Sequence, residues 1–480
     1  MQTIARDTGR HQLGFQPLEQ EHQIDSLAIE GELPRWLSGS LLRTGPSKWD
    51  LGAQRLNHWF DGLAMLHRFS IRDGEVSYGN RFLRGKAFRA AEQTGRLGFQ
   101  EFASDPCRSL FRRLATLFVT PEITDNGAVN ITRLGEQYMA MTESPMPVVF
   151  DPQTLQTLNV QAPRPGTLPT AHPHRDPASG ALIGYTTKLG ARSKYQLFTQ
   201  APGRPARILA SIGVGEPAYM HSFALTERHA VLVAGPLVVK PIELALRRGG
   251  LIESFHWKAD RATQIYVLDR HTGERVANLD TDALFCFHHV NAFERDGEIV
   301  MDLIGYDDPG VIDRFYWDAI DAESRKGAPP TVRRYRLPLD GRRDVAVEQL
   351  SDHAIEMPRI NYARCNGSAY RYAYGIGDGP SNGWDSVPIV KLDVDGGGAD
   401  VWAQDGAYPG EPIFVAAPES PREDSGALLS IVLDAERCSS YLLVLDAETM
   451  QERARAHVPH HIPFGVHGEF YDDPPEVEQQ

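Results

Sequence analysis

Cysteine is scarce in this chain of 480 residues. Its four cysteines, which lie far apart and form no CxxC pair, are Cys107, Cys286, Cys365 and Cys438. This spacing excludes a dense disulfide framework. The amino-terminal sequence MQTIARDTGRHQLGF also lacks the basic and then apolar order of a secretory signal peptide. We therefore expect reduced thiols and a cytoplasmic protein.

Long apolar runs are missing as well. The longest, residues 230–239, contains Gly235 and Pro236 and has about ten residues, whereas a membrane-spanning helix needs about twenty. We therefore expect no membrane-spanning helix. Residues 108–119 and 230–248 nevertheless combine apolar side chains with neighbouring arginines, as helices that lie in a membrane interface do. Peripheral membrane attachment through these segments and packing on the protein's own core are the two alternatives.

The chain has no surplus of basic residues. It contains 49 Lys+Arg against 63 Asp+Glu, which gives a formal net charge of −14. This balance argues against a partner recognised through neutralised phosphates, so we expect no nucleic-acid partner. The charge balance does not exclude an enzyme that acts on a small molecule.

Helical patterns are few, and short runs of β-forming residues bounded by turn signals recur instead, such as AVNITRL, HAVLVAG and ALLSIVLD. Three phrases, VVFDPQTLQT, YVLDRHTGER and LVLDAETMQE, are typical of the outer strands and reverse turn of a propeller blade. We predict an all-β chain in which residues 1–480 form one β-propeller domain, with about seventy residues for each of seven blades. A large double-layered sandwich is the alternative, because counting strands does not reveal whether a sheet closes.

Four of the 17 histidines stand beside aromatic or apolar residues and close to strand signals: His172 in TAHPHRDP, His221 in YMHSFALT, His288 in FCFHHVNAFE and His467 in IPFGVHGEFY. Burying a histidine is costly unless its ring has a partner. The inner strands of propeller blades converge on one axis, and the first two intervals between these histidines are near a blade length. A metal ion on the axis explains the pattern. The residues alone leave His174 open in place of His172, and His289 in place of His288.

Three glutamates also occupy apolar contexts, Glu143 in MAMTESPMP, Glu356 in AIEMPRIN and Glu411 in YPGEPIFV. A metal-bound histidine usually donates its other ring N–H to a carboxylate, so these residues are candidate partners of the histidines. Turn capping or pairing with an arginine such as Arg359 is the alternative for each of them. Four neutral imidazoles leave two octahedral positions of a divalent ion free, which favours iron(II), whereas zinc would form a closed and chemically idle tetrahedral site.

At these residues the sequence resembles the carotenoid cleavage oxygenases over nearly its whole length. The motifs that carry the resemblance are LLRTGP, NHWFDGLAMLHRF, DPCRSLF, MTES, TAHPH, YMHSF, FCFHHVNAFE, EMPRIN, YPGEPIFV and FGVHGEF. Through NHWFDGLA, DPC and YPGEPIFV it is most similar to the animal branch, the β-carotene oxygenases and the retinal pigment epithelium retinoid isomerase. The Arg- and Ala-rich composition suggests a prokaryotic member.

The resemblance implies a seven-bladed propeller with a helical or loop cap over an axial iron ion and an apolar tunnel. It selects His172 and His288 as ligands beside His221 and His467. It also implies that Glu143, Glu356 and Glu411 accept hydrogen bonds from the ring nitrogens of the ligands that do not bind the metal. Phe102, just before DPC, matches an aromatic residue that lines the substrate cavity. Phe60, Phe287 and Phe464 are further candidate wall residues. The stretch between EF and DPC is shorter here than in the animal enzymes.

The expected function is iron(II)-dependent oxidative cleavage of a conjugated C=C bond in a carotenoid or apocarotenoid. Dioxygen is the co-substrate, no organic cofactor is needed, and central cleavage gives two carbonyl products of the retinal type. Stilbene cleavage and retinoid isomerisation with hydrolysis are the alternatives on the same fold. A propeller that only binds a partner is the third hypothesis, but it has no need of four histidines and three glutamates in apolar contexts.

Overall fold

The protein is a ring of seven antiparallel sheets, which confirms the predicted seven-bladed β-propeller. The computed structural model describes residues 10–106, 124–161, 164, 166–246, 249–321, 328–377 and 387–472. We number the blades 1 to 7 in chain order, starting with the sheet that contains Gly39–Lys48. Cys107 and residues 108–119 lie outside the described residues.

Blades 1 to 4 form the first part of the ring. Blade 1 contains His22–Ile24, Gly39–Lys48, Leu63–Arg72, Glu75–Phe82 and Gly468–Tyr471. Blade 2 contains Asn130–Leu134, Gln137–Met141, Val148–Phe150 and Thr157–Val160. Blade 3 contains Leu168–Pro169, His174–Arg175, Leu182–Lys188, Ser193–Gln200 and Arg207–Val214. Blade 4 contains Ala224–Leu225, His229–Ala234, Thr263–Asp269 and Arg275–Thr281, and a separate hairpin pairs Leu237–Val238 with His256–Trp257.

Blades 5 to 7 complete the ring. Blade 5 contains Phe285–Arg295, Glu298–Tyr306, Thr331–Pro338 and Ala346–Gln349. Blade 6 contains Ile355–Arg359, Tyr372–Gly377, Ile389–Asp393 and Ala399–Trp402. Blade 7 contains Ala28–Gly31, Ala407–Pro409, Ile413–Ala416, Gly426–Asp434, Ser439–Asp446 and Glu452–Val458.

Both ends of the chain close the ring. The late strand Gly468–Tyr471 pairs with Gly39–Lys48 in blade 1, with Ser40 opposite Tyr471. The early strand Ala28–Gly31 pairs with Glu452–Val458 in blade 7, with Ala28 opposite His457. Two adjacent blades therefore each combine early and late segments of the chain, and backbone hydrogen bonds hold the closure twice.

The three repeated phrases form the turns between the third and fourth strands, counted from the axis, of blades 2, 4 and 7. In each, an aspartate Oδ1 accepts hydrogen bonds from two backbone N–H groups ahead of it. These aspartates are Asp151, Asp269 and Asp446. Such side-chain turns depend only on neighbouring residues, which is why the repeat is visible in the sequence.

The core lies between the blades. Central strands such as Gly426–Asp434 and Ser439–Asp446 are buried along almost their whole length, because both faces of each sheet pack against a neighbouring sheet. Outer strands such as Ala346–Gln349 are exposed.

Short helices lie in the segments that connect the strands. The α-helices in the described residues are Lys86–Thr94, Pro241–Leu246, Gly310–Asp313, Trp317–Asp321 and Tyr362–Cys365. The 3-10 turns are Arg10–Phe15, Trp59–Asp61 and Ile252–Ser254. Residues from three of these segments, Trp59–Asp61, Pro241–Leu246 and Gly310–Asp313, line a cavity next to the propeller axis, and Phe315, just before Trp317–Asp321, lines it as well.

The structure corrects part of the interfacial-helix hypothesis for residues 230–248. His229–Ala234 and Leu237–Val238 are buried strands, so residues 230–239 cannot contact a membrane. Only the short helix Pro241–Leu246 remains at the surface, where Ile242 is 68% exposed. Residues 247–248 lie outside the described part. Among the residues described, no helix is both long enough and apolar enough to cross a membrane.

Candidate metal centre

Every blade contributes one residue to a cluster of four histidines and three glutamates near the propeller axis. The contributions from blades 1 to 7 are, in order, His467, Glu143, His172, His221, His288, Glu356 and Glu411. Each of them lies on an inner strand or in a loop next to the strands of its blade. The side chains meet because the inner edges of the blades face the same axis.

The four imidazoles face one another. The Nε2 atoms of His172 and His221 are 2.9 Å apart, and those of His288 and His467 are 3.1 Å apart. The candidate ligand atoms of all four rings lie within 4.8 Å of one another. Nitrogens about 2.1 Å from a common metal ion lie about 3.0 Å apart when they occupy adjacent octahedral positions. The donor set and its spacing therefore fit a divalent ion that binds imidazole.

Carboxylates hold the outer nitrogens of three of these rings. The Nδ1 atoms of His221, His288 and His467 lie 2.7, 2.5 and 2.7 Å from oxygens of Glu143, Glu356 and Glu411, respectively. A carboxylate can only accept here, so each Nδ1 carries the proton and each Nε2 lone pair points inward. This arrangement prepares the three rings as neutral ligands.

Electrostatics favour the same protonation states. Burial alone would raise the pKa of Glu356, but His288, the Met357 N–H and the Tyr306 hydroxyl hold it below its ordinary value. Burial would also raise the pKa of Glu411, and Arg359 and His467 lower it well below its usual range. Burial lowers the pKa of His467 to about 4, so its ring is neutral at physiological pH.

His172 is held differently. Its outer Nδ1 lies 3.4 Å from the Asn130 side-chain nitrogen rather than beside a carboxylate. The Thr170 hydroxyl accepts a hydrogen bond from the His172 backbone N–H at 2.9 Å and donates one to the His221 carbonyl at 2.8 Å. Thr170 thus links, through two hydrogen bonds, the segment that carries His172 to the segment that carries His221.

The neighbouring histidines face elsewhere. The two ring nitrogens of His174 lie 3.0 Å from Asn366 Oδ1 and 3.1 Å from the Phe223 carbonyl. The Nδ1 of His289 lies 2.8 Å from the Ser222 hydroxyl. Irregular pairing on both sides of His289 interrupts the regular alternation of side chains in Phe285–Arg295.

A bulge in the inner strand of blade 6 positions Glu356. Pairing with Tyr372–Gly377 shifts between Glu356 and Arg359, and Met357 adopts a positive φ of 50°. A non-glycine residue in this region is strained, and such strain is commonly found at functional sites. Glu356 consequently reaches His288, while Arg359 reaches Glu411 with its Nε at 2.9 Å.

Some supporting residues could not be assigned to the site from the sequence. The hydroxyls of Tyr219 and Tyr306 donate to Glu143 and Glu356 at 3.1 and 2.8 Å. The sequence suggested Arg359 only as an alternative partner for a glutamate, and in fact it binds Glu411 together with His467. The one available signal was the position of Arg359 three residues after Glu356, in EMPRIN.

An apolar cavity of about 580 Å³ borders the histidines, and we call it the axial cavity. Its walls include His221, His288 and His467 together with Phe60, Phe102 and Phe287. The ring centroids of Phe60 and Phe102 are 5.3 Å apart, with the planes at 65°, an edge-to-face arrangement.

Phe464 does not line the axial cavity. It lines a second, adjacent cavity, and its ring lies 5.1 Å from Phe15. The Phe464 N–H donates to the Gly14 carbonyl at 2.8 Å, and the Phe464 ring packs against Gly14.

A β-propeller with a buried cluster of imidazoles beside an apolar cavity defines a class of metal-dependent enzymes that act on apolar substrates. Comparison with known proteins narrows the class. The family described as retinal pigment epithelial membrane protein matches residues 15–472. The chain therefore belongs to this family of carotenoid oxygenases.

Named relatives agree with this assignment. The chain is 32% identical to human β,β-carotene 15,15'-dioxygenase, with 93% of this chain and 92% of the relative covered. It is 35% identical to the carotenoid isomerooxygenase of Galleria mellonella, with 92% of each chain covered. A variant of the Synechocystis apocarotenoid oxygenase superposes with a TM-score of 0.86 at 26% identity, covering 98% of this chain and all of the other, 100%. The protein is thus an enzyme of the carotenoid-cleaving dioxygenase type.

Proposed function

We propose that this enzyme uses iron(II), held by His172, His221, His288 and His467, to cleave a conjugated C=C bond of a carotenoid or apocarotenoid. The observation that carries the proposal is that three of the four imidazoles line the same apolar cavity, so the metal site and a polyene would be in contact. Iron(II) bound there by four neutral imidazole nitrogens would supply the activation of dioxygen. The double bond breaks, each carbon receives one oxygen atom, and no external reductant is required.

The residues of the chain have three tasks in this reaction. Glu143, Glu356 and Glu411 keep the protons on the outer nitrogens of three ligands, so that the ligands stay neutral and correctly oriented. Phe60, Phe102 and Phe287 line the cavity, where they would exclude water and their aromatic rings would stabilise positive charge on a polyene. The apolar walls position the chain of double bonds beside the imidazoles.

The expected result is two carbonyl products whose masses add up to the substrate plus two oxygen atoms. Purified enzyme loaded with iron is incubated under ¹⁸O₂ with β-carotene, a set of apocarotenals, resveratrol and a retinyl ester, and the products are identified by mass spectrometry. Label in both products of a polyene, with central cleavage giving retinal-type products, supports the proposal. Turnover of resveratrol alone, or of the ester without incorporation of label, would replace it with stilbene cleavage or isomerohydrolysis.

His288→Ala tests the metal site, because it removes one proposed ligand together with its hydrogen bond to Glu356. We expect loss of bound iron and of turnover. Full activity in this variant would contradict the assignment of the metal site.

A further inference from the structure

A second cavity of about 220 Å³ adjoins the axial cavity at Glu356 and Met357, and we call it the deep cavity. The two cavities share six wall residues: Trp59, Tyr306, Val311, Phe315, Glu356 and Met357. Most of the other walls of the deep cavity are apolar, including Phe15, Ile355, Ile431 and Leu433. A long apolar molecule beside the histidines could therefore extend into this space.

A buried cation, Arg43, is among the residues that line the deep cavity. Arg43 lies on Gly39–Lys48 and is only 4% exposed. Its guanidinium occupies a slot between Gly410 and Gly465, where a Cβ atom would come within 2.5 Å of Nη1 and 2.8 Å of Nε, respectively. The two glycines thus leave the room that the guanidinium needs.

Arg43 is short of acceptors. Among the described residues, its five N–H groups find one hydrogen-bond acceptor, the Val466 carbonyl, at 2.8 Å from Nη2. The buried Nε has none in the same set of residues. A buried cation normally has a carboxylate or several acceptors, because removing it from water is otherwise costly.

Glu411, an acid that attracts Arg43, does not supply the missing hydrogen-bond acceptor. Glu411 attracts Arg43 only at longer range, because its Oε1 is bound by Arg359 and His467 at 2.9 and 2.7 Å and its Oε2 by the Gly468 N–H at 3.0 Å. Burial lowers the pKa of Arg43 to about 10, which still leaves it charged at neutral pH. A charged donor therefore faces an apolar cavity without an anionic partner among the described residues.

We propose that Arg43 determines substrate specificity by binding the oxygen-bearing end of an apocarotenoid, an aldehyde or carboxylate, in the deep cavity. This inference rests on the proposed polyene cleavage. A carbonyl or carboxylate oxygen supplies the acceptor that the guanidinium lacks, while the polyene behind it lies along apolar walls and passes the histidines. A hydrocarbon carotene offers no such acceptor, so the enzyme discriminates against it.

The test compares kcat/KM for an apocarotenal with that for a hydrocarbon polyene of the same length, in which a methyl group replaces the aldehyde. We expect the iron-loaded wild type to prefer the aldehyde by about tenfold or more, since a hydrogen bond to a charged group has about this effect. In Arg43→Met the preference should disappear, mainly through KM. A structural defect would lower turnover of both substrates equally and leave their ratio unchanged.

Arg314→Met is the matched control. Arg314 also lines the deep cavity, but its guanidinium donates to the Ala328 carbonyl at 3.1 Å. Its replacement should leave the ratio of the two kcat/KM values unchanged. If Arg43→Met does not fold, the wild-type ratio decides alone: equal kcat/KM for the two substrates overturns the role of Arg43. Failure to cleave any polyene overturns the proposed function instead.

Discussion

At the residue scale, whether a histidine can bind the metal depends on which groups already form hydrogen bonds with its ring nitrogens. His172 and His174 are two residues apart, yet only His172 has its inner nitrogen beside another histidine of the cluster. Both nitrogens of His174 are occupied by Asn366 and the Phe223 carbonyl. The pair therefore provides a matched comparison within one short segment.

We predict that His172→Ala loses most of its bound iron, whereas His174→Ala retains one iron ion per chain. The first change removes a ligand, and the second removes only hydrogen bonds to a side chain and a carbonyl. Metal analysis by mass spectrometry, with circular dichroism as a control for folding, distinguishes them. Equal iron content in the two variants would contradict the assignment of His172.

At the scale of elements, the cap over the axial cavity contains a buried acid. Asp61 ends the turn Trp59–Asp61 and is fully buried. It accepts hydrogen bonds from the Ala103 N–H at 3.0 Å and from the Ser104 hydroxyl at 2.6 Å. Through these bonds it joins the turn that carries Phe60 to the segment that carries Phe102. The spacing of two cavity walls therefore depends on one carboxyl group.

This acid should make the stability of the protein depend on pH. Burial raises the pKa of Asp61 from 3.8 to about 7 in the folded protein. Between these two values the folded state binds more protons than the unfolded state, so the free energy of unfolding should fall as the pH rises. In Asp61→Asn the amide can donate to Ser104 and still accept from Ala103, and this part of the pH dependence should vanish. Urea unfolding between about pH 4 and 8 measures it, and an unchanged slope in the variant would refute the prediction.

At the scale of the whole molecule, the metal site requires a closed ring. Its seven residues come from seven blades, and His467 directly precedes the strand Gly468–Tyr471, which pairs with the early strand Gly39–Lys48. The Gly468 N–H also donates to Glu411, and the Gly468 carbonyl accepts from Arg359. Closure of the propeller and completion of the site therefore involve the same short segment.

A truncation tests this coupling. A chain that ends after His467 keeps all four histidines but loses the strand Gly468–Tyr471, and we expect it to bind little iron and to unfold at a lower temperature. The control is a chain that ends after Asp472, which retains the strand and should resemble the full-length protein. Equal iron content in the two truncated chains would show that the site forms without closure of the ring.

The sequence alone determined the features that depend only on residues close together in the chain. The β periodicity and the three aspartate turns were visible because each involves neighbouring residues, and they predicted the propeller that the structure confirmed. The histidines and glutamates stood out because polar groups in apolar contexts need partners. Resemblance to a family was required to choose between adjacent histidines, because irregular pairing in a strand decides which side chain faces the axis.

Only the tertiary structure decided which residues share a space. Phe287 and Phe464 each shortly precede a predicted ligand histidine in the sequence, but Phe464 lines the deep cavity, where its ring packs against Gly14. Residues 230–239 are as apolar as an interfacial segment, and they are buried because neighbouring blades cover them. The sequence did not reveal that Arg43 is buried with few hydrogen-bond acceptors. Gly410 and Gly465, which leave room for its guanidinium, are hundreds of residues away along the chain. Such contacts depend on how distant segments pack, and no local pattern encodes them.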